Sequence, residues 1–465
     1  MLNHLPAGLL APQGEQIPHM SEQSSTVTAQ DDILIKKVVR KLIPFLFFLY
    51  IIAYLDRVNV NFAKLEMPWF SSSQYAFGAG IFFIAYFIFE VPSNLVMRKV
   101  GAKKWIARIM FTWGIIAMLF IYVKNNYPLF VSLRFLLGIA EAGFFPGVLL
   151  YLTTWFTSKE RAKMISLFMT ANAVTLSLGS PLSGLLIDRG PWFGLAGWQQ
   201  MFLFEALPAV IMSGVVLWYL PNGPEDAKWL TPAEKAVIQR RLADDGSKTV
   251  EHGPILPMLK EPDMWKLSAV YLFVVTGMYG VGFWVADLVK KLLVTTGGMD
   301  VFTNVGIKSG LAVGLVCVPV FTLTGIAMVL NAASSDRLQE RRYHVAIPAF
   351  LGAAGLVGFA LLQKYEFAAL IALTISVCGM WSVLGPFWAM PPRVLGRLGA
   401  PALAAGLALI NSIGNLGGFF GPKVLGEAKD LSQQGLFILA GCVAISGIVA
   451  LTLKVSAPAK VEASA

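Results

Sequence analysis

The sequence predicts an all-α polytopic membrane protein, with twelve transmembrane helices in two six-helix bundles. Three observations lead there. The 465 residues are 56% apolar and only 14% charged, whereas a soluble domain averages about 25% charged, and mean hydropathy is +0.66. Twelve apolar stretches each approach the ~20 residues that a helix needs to cross a bilayer. Lys and Arg gather in alternate connections between them, the positive-inside pattern. That pattern accounts for the net charge of +10 as a lipid-bilayer signature, without nucleic acid as a partner.

Residues 1–32 are polar, rich in Pro, Gly, Ser and Gln, and lack the apolar core of a signal peptide. They read as a disordered cytoplasmic tail. Lys36, Lys37, Arg40 and Lys41 then anchor the first span. The apolar stretches lie near 42–63, 74–97, 105–123, 128–154, 163–187, 201–220, 265–289, 309–331, 345–362, 367–390, 401–421 and 433–454. An even number puts both termini on one side. Connections 98–104, 159–163, 221–264, 336–342 and 393–397 carry the Lys and Arg, so that side is expected to be cytoplasmic. Lys290, Lys291 and Lys308 are exceptions on the other side.

The long polar segment 221–264 divides an N-terminal bundle, 33–220, from a C-terminal bundle, 265–455, which a second cytoplasmic tail, 456–465, follows. Within that linker, Thr231-Pro232-Ala233-Glu234 is a helix-start signature. The halves also echo each other. Pro146 and Pro386, Pro181 and Pro422, and Arg98 and Asp336 form pairs separated by nearly the same interval, about half the chain, as internal repeats require.

Charged residues within apolar spans carry the functional signal. A charge at mid-bilayer costs roughly 2.5–3.5 kcal/mol on insertion scales, so such a group must face a protein-lined or watery cavity. Arg134 and Glu141 lie two helical turns apart and project from one face. A low-dielectric setting favours the protonated form of a carboxylate, and a nearby arginine opposes it. Glu141 near a mobile Arg134 is therefore a candidate proton-coupling device, although a guanidinium pairing with Glu141 or a carbonyl only to hold helices together fits the same spacing. Asp56 and Arg57 are adjacent and so point in different directions. Arg57 has the planar fork that matches a substrate carboxylate, and Asp56 is a second protonation site. The alternative for both is a helix end snorkelling to water. Glu90, in Phe89-Glu90-Val91-Pro92-Ser93-Asn94, suits a structural or gating role. Asp188, Arg189 and Glu205 fall at span ends, where solvated positions are expected.

The second half offers neutral groups in place of charges: Tyr279, Trp284, Ser382, Trp388, Asn411, Ser412 and Asn415. Asn411 and Asn415 share a helical face. Two buried amides need partners, which a hydroxylated or carboxylated ligand or neighbouring helices supply equally well. Trp388 is deeper than the usual interfacial anchor. Gly and Pro crowd the fourth, fifth, tenth and eleventh stretches, which suits close helix packing and a moving interface alike.

Several classes are excluded. There is no phosphate-cradling Gly-rich loop ending in Gly-Lys-Ser/Thr, so no ATP-driven pump is indicated. Cys317, Cys378 and Cys442 lack metal-ligand or disulfide-framework spacing. None of His4, His19, His252 and His344 lies mid-span, which leaves any carried proton to a carboxylate. No metal site, cofactor or nucleophile–base pair is evident, and an enzyme is not expected.

The chain resembles the major facilitator superfamily over nearly its whole length, and more narrowly its anion:cation symporter branch, which includes tartrate, galactonate, hexuronate and phthalate permeases. The matching motifs are Tyr54-Leu-Asp-Arg-Val-Asn59, Tyr86-Phe-Ile-Phe-Glu-Val-Pro-Ser-Asn94, Gly138-Ile-Ala-Glu-Ala-Gly-Phe-Phe-Pro-Gly147 and Ile410-Asn-Ser-Ile-Gly-Asn-Leu-Gly-Gly418. The resemblance implies the major facilitator fold, a central cavity and alternating access, with proton-coupled uptake of an organic carboxylate across a bacterial inner membrane. It implies that Asp56 and Glu141 take protons, with Arg134 modulating the second. It also implies that Tyr54, Arg57, Tyr86, Asn172, Ser382, Trp388 and Asn411 line the substrate cavity. Asn172 stands where the galactonate type has glutamine. The superfamily's cytoplasmic loop motif is degraded in the first half, where Arg98 takes the place of its aspartate. The second half keeps Asp336-Arg337 and Arg341-Arg342 without the glycines, which implies a rearranged gating salt bridge.

The expectation is thus a proton-coupled symporter of a small organic anion, a sugar acid, tartrate-like dicarboxylate or aromatic acid, acting as a monomer. A proton-driven exporter and a transport-inactive nutrient sensor are the rivals.

Overall fold

Ten of the apolar stretches form helices long and apolar enough to cross a membrane. The helices Ser158–Asp188 and Ala400–Asn415, the latter continued by Gly417–Glu427, cover the remaining two stretches. The structure, a computed structural model, describes residues 20–245, 258–398, 400–428 and 433–455. In chain order the spans are Met20–Val58, Ser72–Val100, Ala102–Met118, Tyr127–Glu141 with Phe144–Leu152, Ser158–Asp188, Gly197–Tyr219, Pro262–Gly282 with Val285–Thr296, Ser309–Leu338, Arg342–Leu361, Glu366–Ser382 with Leu384–Trp388, Ala400–Asn415 with Gly417–Glu427, and Gln433–Leu451. We number them first to twelfth.

The first helix starts at Met20, inside the stretch that reads as a disordered tail. Extending an existing helix is far easier than nucleating one, and residues 20–32 contain no Pro or Gly to stop it. Residues 1–19 and the second tail, 456–465, lie outside the described residues. The part of the chain up to Pro44 packs as one unit, and the part from Phe45 onward as another.

The fourth and tenth spans break at matching places. The fourth is interrupted at Ala142 and Gly143, the tenth at Val383. Pro146 and Pro386 each fall in the first turn of the helix that follows, where a missing N–H is harmless. Gly143 has φ +88°, and a Cβ there would lie 2.3 Å from Ser93 Oγ. Conformation and space both demand glycine at this corner.

In the 221–264 segment, Pro232–Asp244 is a helix. Glu234 N donates to Thr231 Oγ1 at 3.2 Å, and Thr231 N to Glu234 Oε2 at 2.8 Å. Arg241 pairs with Glu160 in the first turn of the fifth span at 2.7 Å. Residues 246–257 are outside the described set.

The fifth span packs along the eighth and the second along the eleventh. At the end where the fifth span finishes, these contacts close tightly. Asp188 was expected to be solvated, yet its carboxylate accepts from Gly310 N at 3.0 Å and Leu311 N at 2.6 Å. It caps the eighth helix, whose first amides have no partner within the helix. Lys308 Nζ adds a bond to the Asp188 carbonyl at 2.9 Å. A Cβ on Gly184 would come within 2.2 Å of the Gly310 carbonyl, so the two backbones touch directly. At the same end Tyr75 Oη donates to Phe283 O at 3.0 Å and Ala286 N to Asn61 Oδ1 at 3.2 Å. On the opposite end Asp336 pairs with Arg341 at 2.6 Å and Arg393 bonds Gln339, both inside the second half.

Candidate functional site

Two arginines, Arg134 buried and Arg57 partly exposed, define the interior of the first half, and they are used differently. Arg57, one residue before the end of the first helix, donates from Nη2 and Nε to Glu141 Oε2 at 2.8 and 3.2 Å. Its guanidinium lies 5.2 Å from the ring centres of Phe82 and Tyr86, within range of a cation–π attraction. The Arg57 side chain retains 14% exposure against 1% for Glu141, so the arginine is the accessible partner. The pair leaves Glu141 Oε1 without a hydrogen-bond partner.

Arg134 does not pair with Glu141, despite their shared helix face. Its Nε and Nη2 donate to the carbonyls of Gly78 and Ala79 at 3.3 and 3.0 Å, and its guanidinium stacks 5.0 Å from the Phe82 ring. The break at Gly143 explains the choice: the helix stops at Glu141, and the carboxylate there reaches Arg57, 84 positions earlier in the chain. The bond to carbonyls between helices, one of the two roles open to Arg134 from sequence, is present, and its charge also acts on Glu141 through space.

Aromatic and amide groups surround the pair. Tyr50 stands next to Tyr54, with ring centres 6.3 Å apart, and faces Asn172 and Tyr279. Tyr54 faces Tyr279 and Trp381. Asn172 is buried with Oδ1 unpartnered. Across the interface between halves, Asn411 Nδ2 donates to Glu90 Oε1 at 2.7 Å, which joins the eleventh span to the second. Trp388 packs edge-on to Tyr271 at 5.0 Å, and Tyr271 faces Tyr279, Tyr50 and Glu90. Asn415 is half-buried one turn beyond Asn411. The structure thus brings together Arg57, Glu141, Tyr54, Tyr86 and Asn172, and links them through Glu90 and Tyr271 to Asn411 and Trp388.

Other predicted residues fall elsewhere. Ser382 is buried, its carbonyl accepting from Asn331 Nδ2 at 2.9 Å. It lines a groove of about 670 Å³ between the eighth, ninth and tenth spans with Asn331, Ser334 and His344. Asp336 is engaged by Arg341, and Arg337 is exposed. The side chain of Arg98 is outside the described residues.

Asp56 points away from Arg57 into the first half. Trp113 Nε1 donates to its Oδ2 at 3.0 Å. Beside it lies Glu205, expected from sequence at a solvated span end but only 2% exposed. Ser183 Oγ donates to it at 2.6 Å. The sixth helix begins at Gly197, earlier than the apolar run indicates, which sinks Glu205 about 12 Å along it at 1.5 Å per residue. Tyr50, Trp113, Tyr271, Trp381 and Glu205 carry no motif signal. Asn59 had one available, because it follows Asp56 by three and shares its face.

The comparisons with known proteins agree with this architecture. The family model described as Major Facilitator Superfamily matches residues 46–422. A relative named "Putative tartrate transporter" from Agrobacterium vitis is 43% identical over 437 residues, covering 92% of this chain and 93% of that protein. "Putative metabolite transport protein NicT" from Pseudomonas putida is 36% identical, covering 90% and 94%. "Quinolone resistance transporter" from Acinetobacter baumannii is 36% identical, covering 88% and 92%. Among solved structures, the partially occluded inward-open xylose transporter XylE from E. coli superimposes with a TM-score of 0.67 at 13% identity, covering 88% of this chain and 96% of that one; at that identity the likeness speaks for the fold. The chain is a multi-pass membrane transporter of small organic substrates, not an enzyme, and it belongs to the major facilitator superfamily.

Proposed function

We propose that the protein is a proton-coupled symporter that takes up a small organic carboxylate across the bacterial inner membrane by alternating access, as a monomer. The observation that carries this is the Arg57–Glu141 pair, a partly exposed guanidinium held by a buried carboxylate and flanked by Phe82 and Tyr86. The fork of Arg57 that meets Glu141 accommodates one carboxylate at a time. A substrate carboxylate that takes it leaves Glu141 as a buried anion without its hydrogen-bonded cation, Arg134 acting on it only through space, at a cost of several kcal/mol. A proton on Glu141 removes that cost. Loss of the proton returns Glu141 to Arg57 and expels the substrate. Substrate and proton therefore bind together because they resolve one competition for one guanidinium. Tyr54, Tyr86, Asn172, Asn411 and Trp388 supply the hydrogen bonds and rings that shape the rest of the cavity. The relatives named for tartrate and metabolite transport support the substrate class.

The Lys- and Arg-rich connections support an orientation with both termini in the cytoplasm. The end closed by Asp188 then faces outward, and Asp336 with Arg341 belongs to the inner gate, to which we also assign Glu90, Arg98 and Arg337. The segment 221–264 is, in the same reading, the cytoplasmic linker between bundles 33–220 and 265–455.

The test is Glu141→Gln in proteoliposomes with tartrate as the probe. Counterflow exchange of tartrate should persist, while accumulation driven by an inward proton gradient should fall to equilibration. A variant that concentrates tartrate like the parent overturns the coupling role. Proton-driven export is a second reading that the relative named for quinolone resistance supports; the direction of flux under an imposed gradient separates the two.

A further inference from the structure

The first span has a second polar face, turned away from Arg57, and the mechanism above does not use all of it. Asp56, Asn59 and Glu205 are all buried there. Trp113 satisfies one oxygen of Asp56 and Ser183 one oxygen of Glu205. Asp56 Oδ1, Glu205 Oε2 and both amide atoms of Asn59 have no close hydrogen-bond partner, and the nearest approach among them is a long one between Asn59 and Glu205. Four polar atoms without a close partner at one buried place are unusual, because such groups are nearly always satisfied.

The charge count is equally telling. Asp56 faces Glu141 from the fourth span, Glu205 from the sixth and the Trp113 indole from the third. Glu205 faces Ser183 from the fifth span and Asn59 from the first. Among the described residues none of these neighbours is a cation. Arg57 stands with Glu141 instead. Two buried carboxylates within reach of each other's charge, with no cation beside either, repel, and one proton between them relieves that repulsion.

We propose that Asp56 and Glu205, with Asn59 beside Glu205, form a second proton-binding site in which the two carboxylates hold one proton between them. The shared proton leaves one negative charge between them, which Trp113 and Ser183 stabilise through their donated bonds. Asp56 faces both Glu141 and Glu205, so it is the member through which this site senses whether Glu141 is charged. Glu205 is then a positioning and proton-holding residue that never meets the substrate. The inference builds on the proton-coupled reading above, but its first test needs no substrate.

That test is infrared difference spectroscopy on the purified full-length protein between acidic and alkaline pH. The parent should show a protonated-carboxyl C=O band that Glu205→Gln removes and Arg57→Ala retains. Should Glu205→Gln fail to fold, Ser183→Ala must move the same band without abolishing it, since it deletes one hydrogen bond to Glu205. A band untouched by whichever of these two variants folds overturns the proposal. So does a band unchanged by pH but shifted by Na⁺ at fixed pH, which would mark a metal cation site. In liposomes, Glu205→Gln should lower the proton-to-tartrate ratio obtained from the reversal potential while keeping tartrate exchange. Failure of tartrate transport in the parent would count against the substrate reading alone, because the infrared result stands without it.

Discussion

The two halves of the protein meet the site with different chemistry. The first half brings ions: Arg57 against Glu141, Arg134 against two carbonyls, and Asp56 beside Glu205. The second half brings neutral groups: Asn411, Trp388, Tyr271, Tyr279 and Trp381. The difference teaches that, in the proposed mechanism, the competition between proton and substrate sits in one half, where the groups are close enough to feel each other's charge. The other half closes over the outcome with rings and amides. Charges on both halves would have to be separated whenever the halves part, at a large electrostatic cost in a low-dielectric interior. The cross-half bond from Asn411 to Glu90 asks for less, since only one of its partners can carry charge.

This contrast can be broken or sharpened by substitution. The largest effect on transport belongs to Arg57→Ala, for which tartrate uptake in proteoliposomes should fall about 100-fold, as truncating a buried charge partner costs 2–5 kcal/mol. Arg57→Lys should recover only part of this, because an ammonium lacks the fork. Arg134→Ala should act on stability instead. Losing bonds from a charged donor and its ring contacts costs about 3 kcal/mol, and the detergent melting temperature should drop further than for Arg57→Ala. Equal losses of stability in the two variants would erase the distinction between a ligand-binding and a structural arginine. The smallest effect is expected in the second half. Asn411→Ala should cost about 1 kcal/mol, seen as a rise of several-fold in the KM for tartrate. A loss as large as that of Arg57→Ala would mean that the neutral half carries binding energy we assign to the ionic one.

The fold was legible because each span is long and apolar, a property that needs no partner to be read. The motif residues around Arg57 and Glu141 were legible as charges that a bilayer does not tolerate without a reason. Their pairing was not. Spacing joins Glu141 to Arg134 on its own helix, whereas the corner at Gly143 hands it to Arg57 on another. Glu205 was hidden by a boundary: Trp198, Gln199 and Gln200 look like loop residues, yet they form the opening turn of the sixth helix. Gln199 Nε2 reaches the Ile121 carbonyl at 2.6 Å and Gln200 Nε2 the Leu195 carbonyl at 2.8 Å. Side-chain bonds to backbone carbonyls, one of them to a residue 78 positions away, satisfy these amides, and a linear pattern does not contain them.

Asp188 on the first amides of the eighth helix has a kinetic corollary. In the proposed orientation this clasp ties the two halves together on the outer side. If the halves alternate as proposed, each cycle must break it before a molecule can enter from outside, so its rupture adds to the barrier of the outward-opening step.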